Sequence, residues 1–335
     1  MARPRVDPRP LTEGALFAGL AVVLALIGFY IPVIGIFVSL LWPVPIALMV
    51  LRHGIRTAVM TVVVAGAVLS MVVGILEGAV MTLTMGVVGL AMGYAISKGW
   101  GAFRTLAIAS VAVLIGLAVS VGASVAFLRI NVLDMLAPDL SEAAKSVSEL
   151  YAKFGLPKEQ IDKIMKMLVP PRELLLATLP ATLFMAIVIN ALINYEVARR
   201  IMPRFGYQVA GLPAFREWRF PKFFALLYII AQGVVLAKDM PAFVVAGRTI
   251  SLAYKNQAIY NAATNVTIPF MLCMLIQGLS IGYFFLNRWK VGKALANMLI
   301  VFVLFNPSLW QMAFMFGLMD TLFDYRRIMT MMQRK

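Results

Sequence analysis

The chain has 335 residues, of which 62% are hydrophobic and only 13% are charged. A water-soluble domain carries about 25% charged residues, so this composition excludes a soluble protein. The basic excess of 30 Lys and Arg over 15 Asp and Glu lies in short loops beside apolar runs, which is typical of cytoplasmic loops in membrane proteins rather than of nucleic-acid binding.

The long apolar runs predict an all-α, polytopic transmembrane helical bundle of eight full spans followed by a broken apolar region. The predicted spans are 12–31, 33–51, 55–76, 78–97, 103–128, 173–198, 220–237 and 264–286. Pro307 removes a helix hydrogen bond in the middle of the last region, 294–322, and favours two half-spans there. The predicted domains are a basic tail (1–10), a membrane bundle (11–128), an external segment (129–172), a second bundle (173–322) and a basic tail (323–335).

The loops at 52–56, 98–104, 199–222 and 288–293 are basic and alternate with loops that are poor in Lys and Arg. The positive-inside rule places these loops and the N-terminus on the cytoplasmic side of a bacterial inner membrane.

The external segment has the pattern of an amphipathic helical hairpin. Asp139 and Glu142 have the spacing of a capping box, and an apolar stripe with a 3.6-residue period follows them. Gly155 suits the end of the first helix and Pro157 the first turn of the second.

Small residues recur on one face of the first span. They are Gly14, Ala18, Ala21 and Ala25, at spacings of four, three and four. In lipid such a face lets another helix approach closely. It indicates either a docking surface for a partner protein or ordinary packing within the bundle.

Polar side chains within or at the ends of the apolar runs are the candidates for a solute pocket, and they are Glu77, Asn190, Asn194, Gln232 and Gln277. The alternative is that the amides bond to neighbouring helices. A second polar set, predicted to contact a cytoplasmic partner, consists of Arg216, Trp218, Arg219, Asp320 and Arg326. Its alternative is an interfacial anchor of mixed aromatic and basic residues.

Several motifs of catalytic chemistry are absent from the sequence. It contains no HExxH, SxxK or phosphate-loop pattern. The single Cys and single His exclude a disulfide within the chain and a Cys/His metal cluster. We therefore predict a protein that is not an enzyme and that needs neither a metal nor a cofactor.

Five stretches carry a resemblance to a family over nearly the whole chain. They are TEGALFAGLAVVLAL, LWPVPIALMVLRHG, FREWRFPKF, IQGLSIGYFF and GLMDTLFDYRR. Their order and spacing resemble the YybS-like family of bacterial integral membrane proteins, which carries a domain of unknown function. This resemblance implies a membrane protein but no activity.

Residues 11–128 are also similar to the substrate-binding S components of energy-coupling factor transporters. The small face of the first span, together with Pro43 and Pro45, carries this similarity. It implies a solute-binding subunit that works with a transmembrane coupling subunit and an ATPase. The alternative function is a scaffold or regulatory protein that recruits partners through 199–222 and 323–335.

Overall fold

The computed structural model describes residues 8–129, 141–153, 157–168, 172–238, 243–245, 248–250 and 256–332. Within these ranges the regular secondary structure is helical apart from one two-stranded antiparallel sheet. Six helices are long and apolar enough to cross a membrane, or seven segments if one bent pair is counted as a span. The predicted all-α membrane bundle is confirmed, and the predicted count of eight full spans was too high.

The chain divides into two compact units that are discontinuous in sequence, so their borders differ from those of the predicted domains. Unit 1 comprises Met1–Met135 and Phe184–Leu212, and unit 2 comprises Leu136–Leu183 and Pro213–Lys335. The helices of unit 1 are α1 (Arg9–Tyr30), α2 (Pro32–Ser39), α3 (Pro43–Val73), α4 (Ile75–Ser97), α5 (Ala102–Leu128) and the second half of α8 (Arg172–Ile201). In this unit α3 packs on α1 and α4, and α4 packs on α5.

The predicted second span, 33–51, is not one membrane-crossing helix. It is divided between α2 and the start of α3, and every residue from Trp42 to Val50 is buried. Gly54 then interrupts α3 with φ +83° and ψ 173°, a conformation that favours glycine. The part of α3 before Gly54 extends only about 16 Å. It is therefore an internal core helix, whose apolar composition resembles that of a lipid-facing one.

Unit 2 contains the remaining described elements. They are α6 (Ser141–Lys153), α7 (Lys158–Leu168), the first half of α8, α9 (Lys222–Ala237), β1 (Phe243–Val245), β2 (Arg248–Ile250), α10 (Gln257–Arg288), α11 (Lys293–Phe305), α12 (Pro307–Phe323) and α13 (Tyr325–Met332). The strands pair antiparallel, with Val244 opposite Thr249. The helices α6 and α7 contact each other, as expected for the predicted hairpin. The predicted caps Asp139 and Gly155 lie outside the described residues.

The helix α10 is the centre of unit 2, because it packs on both α9 and α12. At the crossing with α12, a Cβ atom added at Gly278 would overlap the carbonyl of Ala313, and one added at Gly317 would overlap the carbonyl of Met274. The two backbones thus approach as closely as only glycine permits.

The last apolar region is broken where the sequence predicts. The axes of α11 and α12 differ by 103°. Asn306 occupies the bend, and its side-chain oxygen accepts hydrogen bonds from the amides of Ser308 and Leu309 at the start of α12. The predicted seventh span differs more from expectation, since α9 has only 16 residues where a crossing needs about 20.

Candidate functional site

The small-residue face of α1 lies inside unit 1. Ala18, Ala21 and Ala25 are 3%, 0% and 2% exposed, and Gly14 is also buried. The three alanines pack in one cluster with residues of α3 and the turn before it, namely Trp42, Ile46, Ala65 and Leu69. The interpretation of this face as an accessible docking surface was therefore wrong in this structure. Close packing in lipid uses the same small residues whether the neighbouring helix comes from the same chain or another.

Glu77, one of the predicted pocket residues, lines a cavity. The cavity is open, has a volume of about 190 Å³ and lies in unit 1. Its lining consists of Phe29, Leu76, Glu77, Val80, Met81, Ala123 and Ser124. These residues come from the last turn of α1, the first turns of α4 and the final part of α5, so the cavity lies at one end of these three helices.

Glu77 lies in the first turn of α4 and is exposed. A Cβ atom added at Gly74, which has φ +110°, would lie 2.6 Å from a carboxylate oxygen of Glu77. Glycine at this position leaves the space that the carboxylate occupies. A negative charge in a first helical turn is stabilised by the helix dipole. The cavity thus combines one carboxylate and the hydroxyl of Ser124 with an otherwise apolar wall.

The other predicted pocket residues do not join Glu77. Asn194 donates hydrogen bonds to the backbone and side-chain oxygens of Asn190, one turn before it on α8, at 2.9 and 2.8 Å. Neither asparagine lines the cavity beside Glu77. Gln232 and Gln277 belong to unit 2. The five residues therefore do not form the single pocket that the sequence suggests.

Gln277 belongs instead to a buried polar cluster of unit 2, together with Asp320 and Arg326. One carboxylate oxygen of Asp320 accepts a hydrogen bond from Gln277 Nε2 at 2.6 Å and lies 3.1 Å from Arg326 Nε. Asp320 is 3% exposed and Arg326 only 1%. Burial lowers the pKa of Arg326, and the neighbouring Asp320 opposes this shift. A buried ion pair of this kind persists because each charge compensates the other.

The cluster fixes the backbone of residues 215–220, which we call the strap. Arg326 donates to the carbonyl of Arg216 at 2.6 Å. Gln277 accepts from the amide of Phe220 at 3.1 Å. Ser280 donates to the carbonyls of Phe215 and Trp218 at 2.6 and 3.2 Å. Side chains of α10 and α13 thus bond to four backbone groups of the strap, which contains one short 3-10 turn, Phe215–Glu217.

The predicted cytoplasmic-contact residues are brought together here, but two of them are inaccessible. Asp320 and Arg326 are buried and are therefore not surface contacts. The other three lie on the strap, where Arg219 pairs with Asp324 at 3.2 Å and Arg216 donates to Asn287 at 3.1 Å. Trp218 donates through its indole nitrogen to the carbonyl of Pro213 at 2.9 Å. These contacts make the set an intramolecular anchor.

Two further polar groups were missed by the sequence reasoning. Asn265 on α10 donates to the carbonyl of Ala177 at 2.6 Å and accepts from the amide of Ala181 at 2.9 Å. An uninterrupted α8 would join those two groups to each other, and Pro180 lies between them. In unit 1, Glu13 accepts from Arg52 at 2.8 Å and contacts His53 at 3.0 Å. An amide within an apolar run is the signal that could have identified Asn265.

Metal binding has no support among the residues that the structure describes, because no three His, Cys, Asp or Glu side chains there form a group that could hold an ion.

Comparison with known proteins places the chain among membrane proteins. The family described as "Predicted membrane protein (DUF2232)" matches residues 19–321. A Bacillus subtilis (strain 168) protein named "Uncharacterized protein YybS" is 25% identical over 318 residues, which cover 95% of this chain and 97% of the relative. No solved structure matches. The resemblance to the YybS-like family is confirmed, and the similarity to S components stays a prediction.

Proposed function

Since the chain belongs to the family described as "Predicted membrane protein (DUF2232)", we propose that this integral membrane protein is the solute-binding subunit of a transporter, similar in function to an S component. The observation that carries the proposal is the cavity of about 190 Å³ beside Glu77. A mostly apolar concavity with a few convergent polar groups is the usual form of a small-molecule site.

The chemistry of the cavity specifies the class of solute. The carboxylate of Glu77 selects a cationic or hydrogen-bond-donating group, and Phe29, Val80 and Met81 supply apolar contact. A small amine or heterocyclic cation fits this combination.

The direction of binding follows from charge. The α4–α5 connection carries Lys98 and, just inside α5, Arg104, whereas Glu77 lies at the opposite end of α4. By the positive-inside rule the end with Lys98 faces the cytoplasm of a bacterial cell membrane, as does the N-terminus, and the cavity opens outward.

A coupling subunit and an ATPase on separate chains would supply the energy, as the S-component resemblance implies. Their contact with this chain would use a surface other than the buried face of α1. In this proposal the protein itself catalyses no covalent chemistry.

The test is solute binding by the purified full chain in detergent. A panel of small organic cations and uncharged analogues is screened by thermal shift, and the dissociation constant of each hit is measured. Glu77→Gln should weaken binding of a cationic hit about 10- to 100-fold, because a charge-assisted hydrogen bond is lost. Glu173→Gln is the matched control, since Glu173 is also an exposed first-turn glutamate. The proposal fails if no solute stabilises the protein, or if both variants bind a hit as the wild type does.

A second function, recruitment of a cytoplasmic partner, is favoured by the rigidity of the strap. Arg216 and Arg219 remain 43% and 51% exposed at their side chains while the strap backbone is fixed. A segment already ordered loses little entropy on binding a partner. Arg219→Glu should then remove an acidic partner protein from native pull-downs, with Glu77→Gln leaving it bound. Unchanged recovery of every co-purifying protein would exclude this function.

A further inference from the structure

An apolar groove runs along unit 1 between α1 and the part of α3 that follows Gly54. Its volume is about 320 Å³, within the range of about 300–1,000 Å³ typical of ligand pockets. The lining residues are Pro10, Leu11, Gly14, Ala15, Thr57, Met60, Thr61 and Val64. We call it the α1–α3 groove.

Short side chains produce this groove. A Cβ atom added at Gly14 would lie 3.3 Å from Thr61 Oγ1, so the two helices nearly touch at its floor. Leu11, Met60 and Val64 stand at its sides and are 78%, 67% and 50% exposed. The groove is thus a recess on the surface of the unit that is open to the surroundings.

The two helices run in the same direction along the groove. Pro10 and Thr57 line it one turn before Gly14 and Thr61, respectively. The start of α1 and the start of the part of α3 after Gly54 therefore lie at the same end of the groove, where the positive ends of both helix dipoles also lie.

That end also carries positive side chains. Arg9 immediately precedes Pro10, Arg56 immediately precedes Thr57, and both arginines are exposed. The acidic residue of α1, Glu13, pairs with Arg52 at 2.8 Å and contacts His53 at 3.0 Å. An apolar recess thus ends at a cationic rim.

We propose that the α1–α3 groove binds one anionic phospholipid, with an acyl chain lying along the recess and the phosphate between Arg9 and Arg56. An amphiphile with an apolar tail and a negative head matches both parts of the site, and basic residues at the ends of membrane helices attract anionic lipids. This site is distinct from the solute cavity, because Glu77 and Phe29 lie near the other end of α1.

The experiment measures lipid retention by native mass spectrometry of the full chain in detergent. Phosphatidylglycerol and phosphatidylcholine with identical acyl chains are added at equal concentration. The wild type should retain phosphatidylglycerol preferentially. Arg56→Gln should reduce that preference about fivefold, since one cationic contact is lost.

A substitution that fills the groove distinguishes lipid bound in it from lipid that contacts the rest of the protein surface. Ala15 lines the groove, and Ala15→Phe should abolish the retained phosphatidylglycerol. Ala118→Phe is the matched control, because Ala118 is an exposed alanine of α5 outside the groove. Thermal unfolding checks that both variants are folded. If Ala15→Phe does not fold, the lipid preference of Arg56→Gln still tests the proposal, because Arg56 is exposed and its replacement should not disturb packing.

Two results would overturn the proposal. One is equal retention of the two lipids by the wild type, which indicates nonspecific annular lipid. The other is retention of phosphatidylglycerol by Ala15→Phe at the level of Ala118→Phe.

Discussion

Replacing Arg326 by Met should destabilise the protein severely, although the substitution introduces an apolar side chain into an apolar bundle. The change leaves the carboxylate of Asp320, which is 3% exposed, without the cation 3.1 Å away. It also removes the hydrogen bond of 2.6 Å that Arg326 donates to the strap at Arg216. Removing one partner of a buried pair costs about 3–5 kcal/mol. The strap bond is part of the same network, so its loss does not add in full to that cost.

The double variant Arg326→Met, Asp320→Leu should recover part of this loss. With both charges gone, no uncompensated ion remains buried, and apolar replacements of buried pairs are often close to neutral. What remains is about 1 kcal/mol for the strap hydrogen bond, together with about 1–3 kcal/mol for Gln277 Nε2, a buried donor that loses Asp320 as its acceptor. The coupling between the two sites should therefore be several kcal/mol in the double-mutant cycle.

Arg219 provides the control for this cycle. It also pairs with an aspartate, Asp324, at 3.2 Å, but the two side chains are 51% and 32% exposed. An exposed ion pair contributes about 0–1 kcal/mol, so Arg219→Met should change stability little. The free energy of unfolding is measured by denaturant titration in mixed micelles, and accessibility of the strap by limited chymotrypsin digestion. If Arg326→Met costs no more than Arg219→Met, the buried pair does not anchor the strap.

Two further predictions concern helix packing. Gly278→Ala should lower the free energy of unfolding by at least about 1–3 kcal/mol, because its Cβ would overlap the backbone of α12. The control is Gly282→Ala on the same helix, where the added Cβ meets nothing within 4 Å, so this change should be neutral or stabilising by up to about 1 kcal/mol. Equal shifts of the unfolding temperature in the two variants would contradict this crossing geometry. Ala21→Leu should also lower stability by about 1–3 kcal/mol, since Ala21 is 0% exposed. Val23→Leu, at a 52% exposed position of α1, should not. An Ala21→Leu variant that is folded and as stable as the wild type would support the interpretation of this face as a docking surface.

Hydropathy predicted which segments are helical but not which of them meet lipid. The runs at 78–97 and 103–128 match α4 and α5 closely, because each is predominantly apolar and ends at a charged residue or glycine. The run at 33–51 is equally apolar, yet the chain covers it from Trp42 to Val50. In a soluble protein polar residues mark the exposed face of a helix, whereas in lipid both the exposed and the buried faces are apolar. A core helix and a spanning helix then have the same composition.

The sequence showed which polar residues lie in or near apolar segments, but it did not show which of them contact each other. Gln277 and Arg326 are 49 residues apart in the sequence and meet only because α10, α12 and α13 converge in unit 2. The sequence assigned them to different sets, a pocket and a surface. Gly278 is the residue that makes this contact possible, since it permits the close approach of α12 that brings Asp320 to Gln277. A single sequence does not show which helix a glycine faces.

The helix α1 combines the two proposed binding functions with the burial of its small face. Ala18, Ala21 and Ala25 pack the helix against α3, and the ion pair between Glu13 and Arg52 also joins the two helices. Its two ends can then differ in chemistry. The end at Arg9 is cationic and borders the α1–α3 groove, whereas the end at Phe29 contributes to the cavity that contains Glu77. A helix that docked through this face onto another protein would have to leave α3 and would deform both recesses. Burial of the small-residue face is therefore a requirement for the lipid and solute sites proposed here.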